Sequence, residues 1–250
     1  MLNPFINSGF YRYYLAYEFL DNTNVVVDIG SGNGKFIGVC QKGKRLYGCE
    51  VDLLLVKNAK SAYSHVNFKI IDKKDKLPYP DSFADTVFLL EVIEHVDDPR
   101  KLIAEISRIL KKDGVLILST PHKGLTGWVD WGNLKFKAPV LHRLLINLFR
   151  GKEYYKTRYK SGMHGDMSKN LKEHHHFTLQ ELQKLIEGKF RIEKFVTHGL
   201  FLPFLMPLRD VWKILFKNNN LLNRLIMLDG SIFQGKNIGW DIVIKAKKIG

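Results

Sequence analysis

Apolar residues are unevenly spread along this chain: they fall into short, often β-branched blocks separated by segments with helical spacing. Val25, Val26 and Val27 open the first block and have the composition of a strand buried on both faces. Blocks at 46–50, 67–72, 86–90 and 115–119 predict four more strands. Asp98 before Pro99 reads as a helix start, with an acid at the N-cap and proline at the first helical position. Leu102, Ile103, Ile106, Ile109 and Leu110 then recur at helical spacing, which lays one apolar face on the sheet, and Asp113-Gly114 is expected to stop that helix. Thr178 and Glu181 form a capping box that opens another helix, with Leu182, Leu185 and Ile186 inward. Residues 190–197 and 238–247 alternate as two last strands would, and 1–20 looks like a helix entering the first strand. Strands alternating with helices make this an α/β chain.

The first strand runs into Asp28, and glycine then falls at alternate positions, Gly30, Gly32 and Gly34. A bend of this kind lets the backbone approach a ligand closely. A dinucleotide site wants G-x-G-x-x-G, whose third glycine packs helix on strand. Lys35 stands in that slot here. The run Asp28-x-Gly30-x-Gly32-x-Gly34 instead resembles motif I of the class I S-adenosylmethionine-dependent methyltransferases, and the likeness continues almost unbroken over 25–122, intervals included.

That resemblance implies a Rossmann-like class I methyltransferase fold: a seven-stranded, mostly parallel sheet, helices on both faces, and inserted lid and lobe segments. It also implies a cofactor, S-adenosyl-L-methionine. Asp28, Gly30, Ser31, Gly32 and Gly34 would surround its methionine part, and Leu90 and Glu91 would lie beneath the methyl donor. Glu50, with Val51 beside it, would take the ribose hydroxyls, and Asp72 with Lys73 would lie near the adenine. Glu50 closes the triplet Gly48-Cys49-Glu50 and follows Asp28 at close to the roughly 20-residue interval at which a carboxylate meets ribose. Asp52 is the alternative at the same strand end.

With 250 residues, 45% of them hydrophobic, and no Ser/Pro/Gly tract dividing them, the chain reads as a single domain over 1–250. Two additions are expected, a lid insertion at 123–172 after strand five and an apolar, basic insertion at 198–237 between strands six and seven. Cys40 and Cys49 are the only cysteines, which excludes a disulfide framework and makes a reducing cytoplasm the default. Residues 1–20 lack the apolar core of a signal peptide.

The formal charge of +14 changes the picture, because Lys and Arg cluster outside the cofactor half, within 123–172 and 209–217. An anionic partner fits that placement, either nucleic acid or a lipid headgroup layer, while solvated lysines are the bland explanation. Within 138–150, Val140, Leu141, Leu144, Leu145, Leu148 and Phe149 form an apolar stripe opposite His142, Arg143, Asn147 and Arg150, preceded by Trp128, Trp131 and Phe136. Such a helix suits a membrane surface, or equally a lid packed over a pocket. Residues 200–217 are apolar but interrupted by two prolines and four charges, and so fall far short of the ~20 apolar residues that a spanning helix needs. Peripheral attachment at the inner face of the membrane is therefore expected.

Candidates for chemistry are Glu91, Glu94, His95, His122 and the histidines 174–176. Methyl transfer to a hydroxyl needs alignment, exclusion of water and a base or metal that takes the proton. His95, Glu94 and His122 are the catalytic candidates. Glu91-x-x-Glu94-His95, with a later histidine, resembles metal-assisted O-methyltransferases of two kinds, one acting on polyprenylated quinone precursors and one on the 3′-terminal ribose of small RNAs. That likeness implies a divalent metal, Mg or another, on Glu91, Glu94, His95 and His175, although His174 and His176 are equally placed. In related chains with no known metal, Glu-His after strand four shapes the cofactor pocket. The expected acceptor is a hydrophobic or lipid-linked small molecule of the quinone-precursor or glycolipid type. RNA ribose 2′-O-methylation is the second choice, and S-adenosylmethionine binding without catalysis the third.

Overall fold

In the computed structural model, residues 3–6, 8–40, 43–72, 76–127, 129, 137–150 and 175–250 are described. Helix α1 (Tyr11–Phe19) leads into β1 (Thr23–Ile29), and then follow β2 (Gly43–Glu50), α2 (Leu53–Ala62), β3 (Asn67–Ile70) and β4 (Ala84–Leu90). Helix α3 (Pro99–Ile109) passes directly into β5 (Leu110–Pro121). After it come α4 (Pro139–Arg150), α5 (Leu179–Ile186), β6 (Phe190–His198), α6 (Leu202–Phe216), α7 (Asn220–Ile232) and β7 (Asp241–Lys248). The strands form one seven-stranded sheet in the order β3-β2-β1-β4-β5-β7-β6. Only β7 runs antiparallel to its neighbours, β5 and β6, as the expected fold requires.

Strand order reverses at β1, which lies between β2 and β4. In such sheets ligands bind beyond the carboxyl ends of the strands at that reversal, and the glycine bend sits there. Successive residues of β1 point to opposite faces. Val25 and Val27 join a core with α3 and α5, whereas Val26 joins one with α1 and α2. All three are buried, as a strand covered on both sides must be.

Local signals behave as expected at several helix starts. Asp98 caps α3 by accepting from Lys101 N, with Pro99 next to it. Thr178 and Glu181 make both halves of the capping box on α5. Asp52 caps α2, one of its carboxylate oxygens accepting from Leu54 N and Leu55 N.

Three boundaries differ from the reading of the sequence. Helix α3 ends at Ile109, because the carbonyls of Arg108 and Ile109 accept Ser82 N and Phe83 N and Leu110 already pairs with Ala84. Asp113, at φ 61°, and Gly114 lie instead within β5, where the register slips against β4. Strand β3 stops at Ile70, so Ile71 and Asp72 belong to the loop at the cleft. Strand β7 begins at Asp241, because Gly239 is crossed by the backbone of His198 so closely that a Cβ there would meet His198 N at 2.4 Å.

Candidate cofactor and acceptor site

The glycine bend is pinned to the end of β2: Gly30 N and Ser31 N both donate to Cys49 O, at 2.8 and 3.1 Å. Gly30, Gly32 and Gly34 all adopt positive φ, of 71°, 54° and 78°, where a side chain is strained. The three differ in what surrounds them. A Cβ on Gly30 would meet Val92 Cγ2 at 2.4 Å and one on Gly34 would meet Phe68 Cζ at 2.6 Å, so these two glycines permit close packing. Above Gly32 nothing lies within 4 Å. This is the open cradle into which a ligand's chain can reach.

Glu50 closes the same space from β2. One carboxylate oxygen accepts Gly32 N at 2.9 Å, and the other accepts Val51 N at 2.7 Å and Asp52 N at 3.3 Å. Asp28 is buried beneath the bend, and its carboxyl is pushed well above the usual range by burial and by the charge of Glu50. The two acids are therefore close enough for the charge of one to act on the other. A small recess of about 30 Å³ lies beside Glu50, lined among others by Ile29, Gly30, Val51, Ile71, Val92 and Leu102. Its walls are apolar and Glu50 stands at its edge, so the apolar surface and the carboxylate adjoin one another. Asp72 is exposed, next to Ile71 in that wall. Lys73 lies outside the described residues.

On the other side of the bend, β4 ends at Leu90, which is buried. Glu91 follows in the left-handed region at φ 57°, an uncommon conformation for a residue with a side chain. This twist brings its carboxylate to Ser119 Oγ, which donates at 2.8 Å, and within 3.5 Å of Arg12 Nη1. Arg12 also donates to Asp241 at 3.1 Å, so one guanidinium ties α1 to the exit of β4 and the start of β7. Burial works against the Arg12 charge, but Glu91 and Asp241 overcome it and hold its pKa above the usual value. Asp241 is lifted by burial, and further by Glu91, to about 8. His198 comes within 3.9 Å of Asp241, and neither ring nitrogen has a hydrogen-bond partner among the described residues. Burial, with Arg12 adding to it, lowers His198 to about 3.

Sequence reasoning missed Arg12, His198 and Asp241. The available signals were a lone arginine in the aromatic run 10–14 and an acid opening an otherwise apolar strand.

The catalytic candidates separate. Glu94 is buried, accepts from Thr120 Oγ1 at 3.2 Å, and is held well above the usual carboxylate range by burial and by Glu91. His95 is more open, with Nε2 3.8 Å from Glu94 Oε1. His122 is buried, with Nδ1 3.0 Å from Gly239 O, and its pKa is lowered by burial and by His176.

The four residues expected around a metal are not gathered. Glu91 faces Arg12 and Ser119, Glu94 faces Thr120, and His175 is exposed with its ring edge-on to Phe177. His176 is the histidine turned inward, edge-on to Trp240. His174 lies outside the described residues. Among the described residues no three His, Cys, Asp or Glu side chains are grouped so as to hold a metal ion.

Comparison with known proteins agrees with this geometry. Residues 27–118 match the methyltransferase domain family Methyltransf_11. A probable S-adenosylmethionine-dependent methyltransferase of Mycolicibacterium smegmatis is 28% identical over 121 residues, 47% of each chain. A ubiquinone biosynthesis O-methyltransferase of Pelagibacter ubique is 28% identical over 112 residues, 42% of this chain and 45% of that one. A solved S-adenosylmethionine-dependent methyltransferase of Thermotoga maritima, described as a possible histamine N-methyltransferase, superposes with a TM-score of 0.53 at 21% identity, over 99% of this chain and 98% of that one. Together the family match over 27–118, the relatives and the shared fold support a class I S-adenosylmethionine-dependent methyltransferase. Its matches span about half the length of the M. smegmatis relative. S-adenosylmethionine is the cofactor the family implies, and the open cradle over Gly32 facing Glu50 fits it.

Proposed function

We propose that this protein transfers the methyl group of S-adenosylmethionine to a hydroxyl oxygen of a hydrophobic or lipid-linked small molecule. The observation that carries the first half is the open space over Gly32, facing a Glu50 carboxylate already oriented by backbone N–H groups. When bound there, the cofactor supplies an activated methyl on a sulfonium. The chain's own task is to hold both reactants, keep water out and accept a proton.

Several groups divide that work. Glu50 would grip the ribose, the Gly30–Gly34 bend the methionine chain, and the apolar wall of Ile71, Leu77 and Val92 the base. Arg12 locks α1 across the exit of β4, which fixes the Glu91 carboxylate beside the cradle. His95 is the group we assign as base for the acceptor hydroxyl, because it is more open than Glu94 and lies next to that buried carboxyl, which can position it. Glu94 is then a positioning residue. The ubiquinone-pathway relative supports an oxygen acceptor of apolar character, although 28% identity over under half of each chain fixes no acceptor.

The test is incubation of the protein and labelled S-adenosylmethionine with a total lipid extract and, separately, total RNA. Label in the lipid fraction is expected, and it should fall at least tenfold in His95→Asn while adenosylhomocysteine still binds. Label in RNA, or binding without transfer to either extract, overturns the acceptor assignment. Equal activity of wild type and Glu94→Gln with and without a chelator would mean that no divalent metal takes part at this carboxylate.

A further inference from the structure

The outer face of the α6–α7 hairpin is apolar where it meets water. Along α7, Leu221, Leu225, Leu228 and Ile232 are all exposed, and they fall at i, i+4, i+7 and i+11, a single stripe. The inner face of the same helix is apolar as well, with Leu222 and Ile226 buried against the body of the protein. A surface helix ordinarily keeps its outer face polar. Neighbouring α6 adds exposed Phe204, Leu208 and Leu215, and scattered apolar residues would carry no such periodicity.

Charge identifies the occupant. The exposed cations on and beside the stripe are Lys217, Arg224 and Lys236. The one acid of α7, Asp229, is turned inward, where both carboxylate oxygens accept Phe201 N at 3.1 Å and so hold the start of α6. Of the acids in 200–237, Asp229 is buried, and the side chain of Asp210 lies outside the described residues. A second copy of this chain would set Arg224 and Lys217 near their like-charged counterparts. RNA would meet only aliphatic side chains along α7, which carries no aromatic ring to stack on. No described helix is long and apolar enough to cross a membrane.

We infer that the α6–α7 hairpin is a docking face for an anionic lipid bilayer, with the leucine stripe entering the acyl boundary and the cations meeting headgroup phosphates. The inference deepens the proposed function by saying where a lipid-linked acceptor is met, and it rests on that reading only for its biological sense. Helix α4, in contact with α6, exposes Val140, Leu141 and Leu144 and would extend the same face.

Flotation of the full chain with vesicles of phosphatidylcholine containing roughly 30% phosphatidylglycerol tests it without reference to activity. The wild type should float, less so as salt rises and hardly at all on pure phosphatidylcholine. In the double variant Leu225→Ser, Leu228→Ser the floated fraction should fall about tenfold while the melting temperature and adenosylhomocysteine binding stay unchanged. Arg224→Glu should weaken flotation and leave the same controls intact. Failure of the wild type to float, flotation that ignores the stripe variants, or a dimer that these variants dissolve would each overturn the inference. Such a failure would leave methyl transfer in lipid extract standing, and loss of that transfer would leave the docking face standing.

Discussion

Strand β1 and helix α7 are both rich in aliphatic residues, yet β1 hides its valines completely while α7 hides one face and bares the other. Around β1 each position is fixed by what touches it: Gly30 by Val92, Gly34 by Phe68, Glu50 by three backbone N–H groups. Around α7 the inner face is fixed in the same way, with Gly230 against the ring of Tyr11, but the leucines of the outer face are exposed. The contrast separates two kinds of constraint. The cofactor half is determined by packing within the chain, whereas the outer face of the lobe shows no such packing among the described residues.

Substitutions should register that difference, most strongly in the core. Ile106, fully buried on α3, should cost about 2–5 kcal/mol when changed to Ala, read by chemical denaturation. Gly30→Ala places a Cβ at positive φ and 2.4 Å from Val92, so about 1–3 kcal/mol is expected together with loss of adenosylhomocysteine binding. Normal binding by that variant would break the claim that the bend is sterically determined.

Asp241 sharpens the comparison through pH. Its folded value of about 8 stands above its ordinary 3.8, so the stability it contributes is full below pH 3.8 and is lost as pH rises through about 8. Thermal melts across that window should fall more steeply for wild type than for Asp241→Asn, and parallel curves would contradict the burial, beside Glu91, that lifts Asp241. Thr178→Ala removes half of a capping box and should cost about 1 kcal/mol of stability. Leu225→Ser, on the bare side of α7, should stay within roughly 0.5 kcal/mol of wild type in denaturation. A large loss there would show that the stripe is covered within the chain.

The same division explains what the sequence could reveal. Strands β1 to β5 and the glycine cradle are legible because their determinants are local: β-branched blocks, an acid at each strand end, and glycine where φ turns positive. The different placements of Glu50 and Asp52 are not local: Glu50 accepts Gly32 N of the bend, whereas Asp52 caps α2 through one oxygen. The Arg12–Asp241 pair spans almost the whole chain and depends on the register of β7 against β5, which no local pattern carries. The inward turn of His176 rather than His175 follows from the short bridge pairing His122 with Phe177, again a long-range fact. Periodicity shows α7 to be apolar on both sides, and only burial tells which side is bare.

Titration calorimetry with S-adenosylhomocysteine tests the central claim most directly, because it asks only whether the cradle over Gly32 and the Glu50 carboxylate form one binding site. The account predicts saturable one-to-one binding by the wild type, weakened at least tenfold in Glu50→Ala. No heat from folded wild-type protein, or equal affinity in the variant, would contradict it.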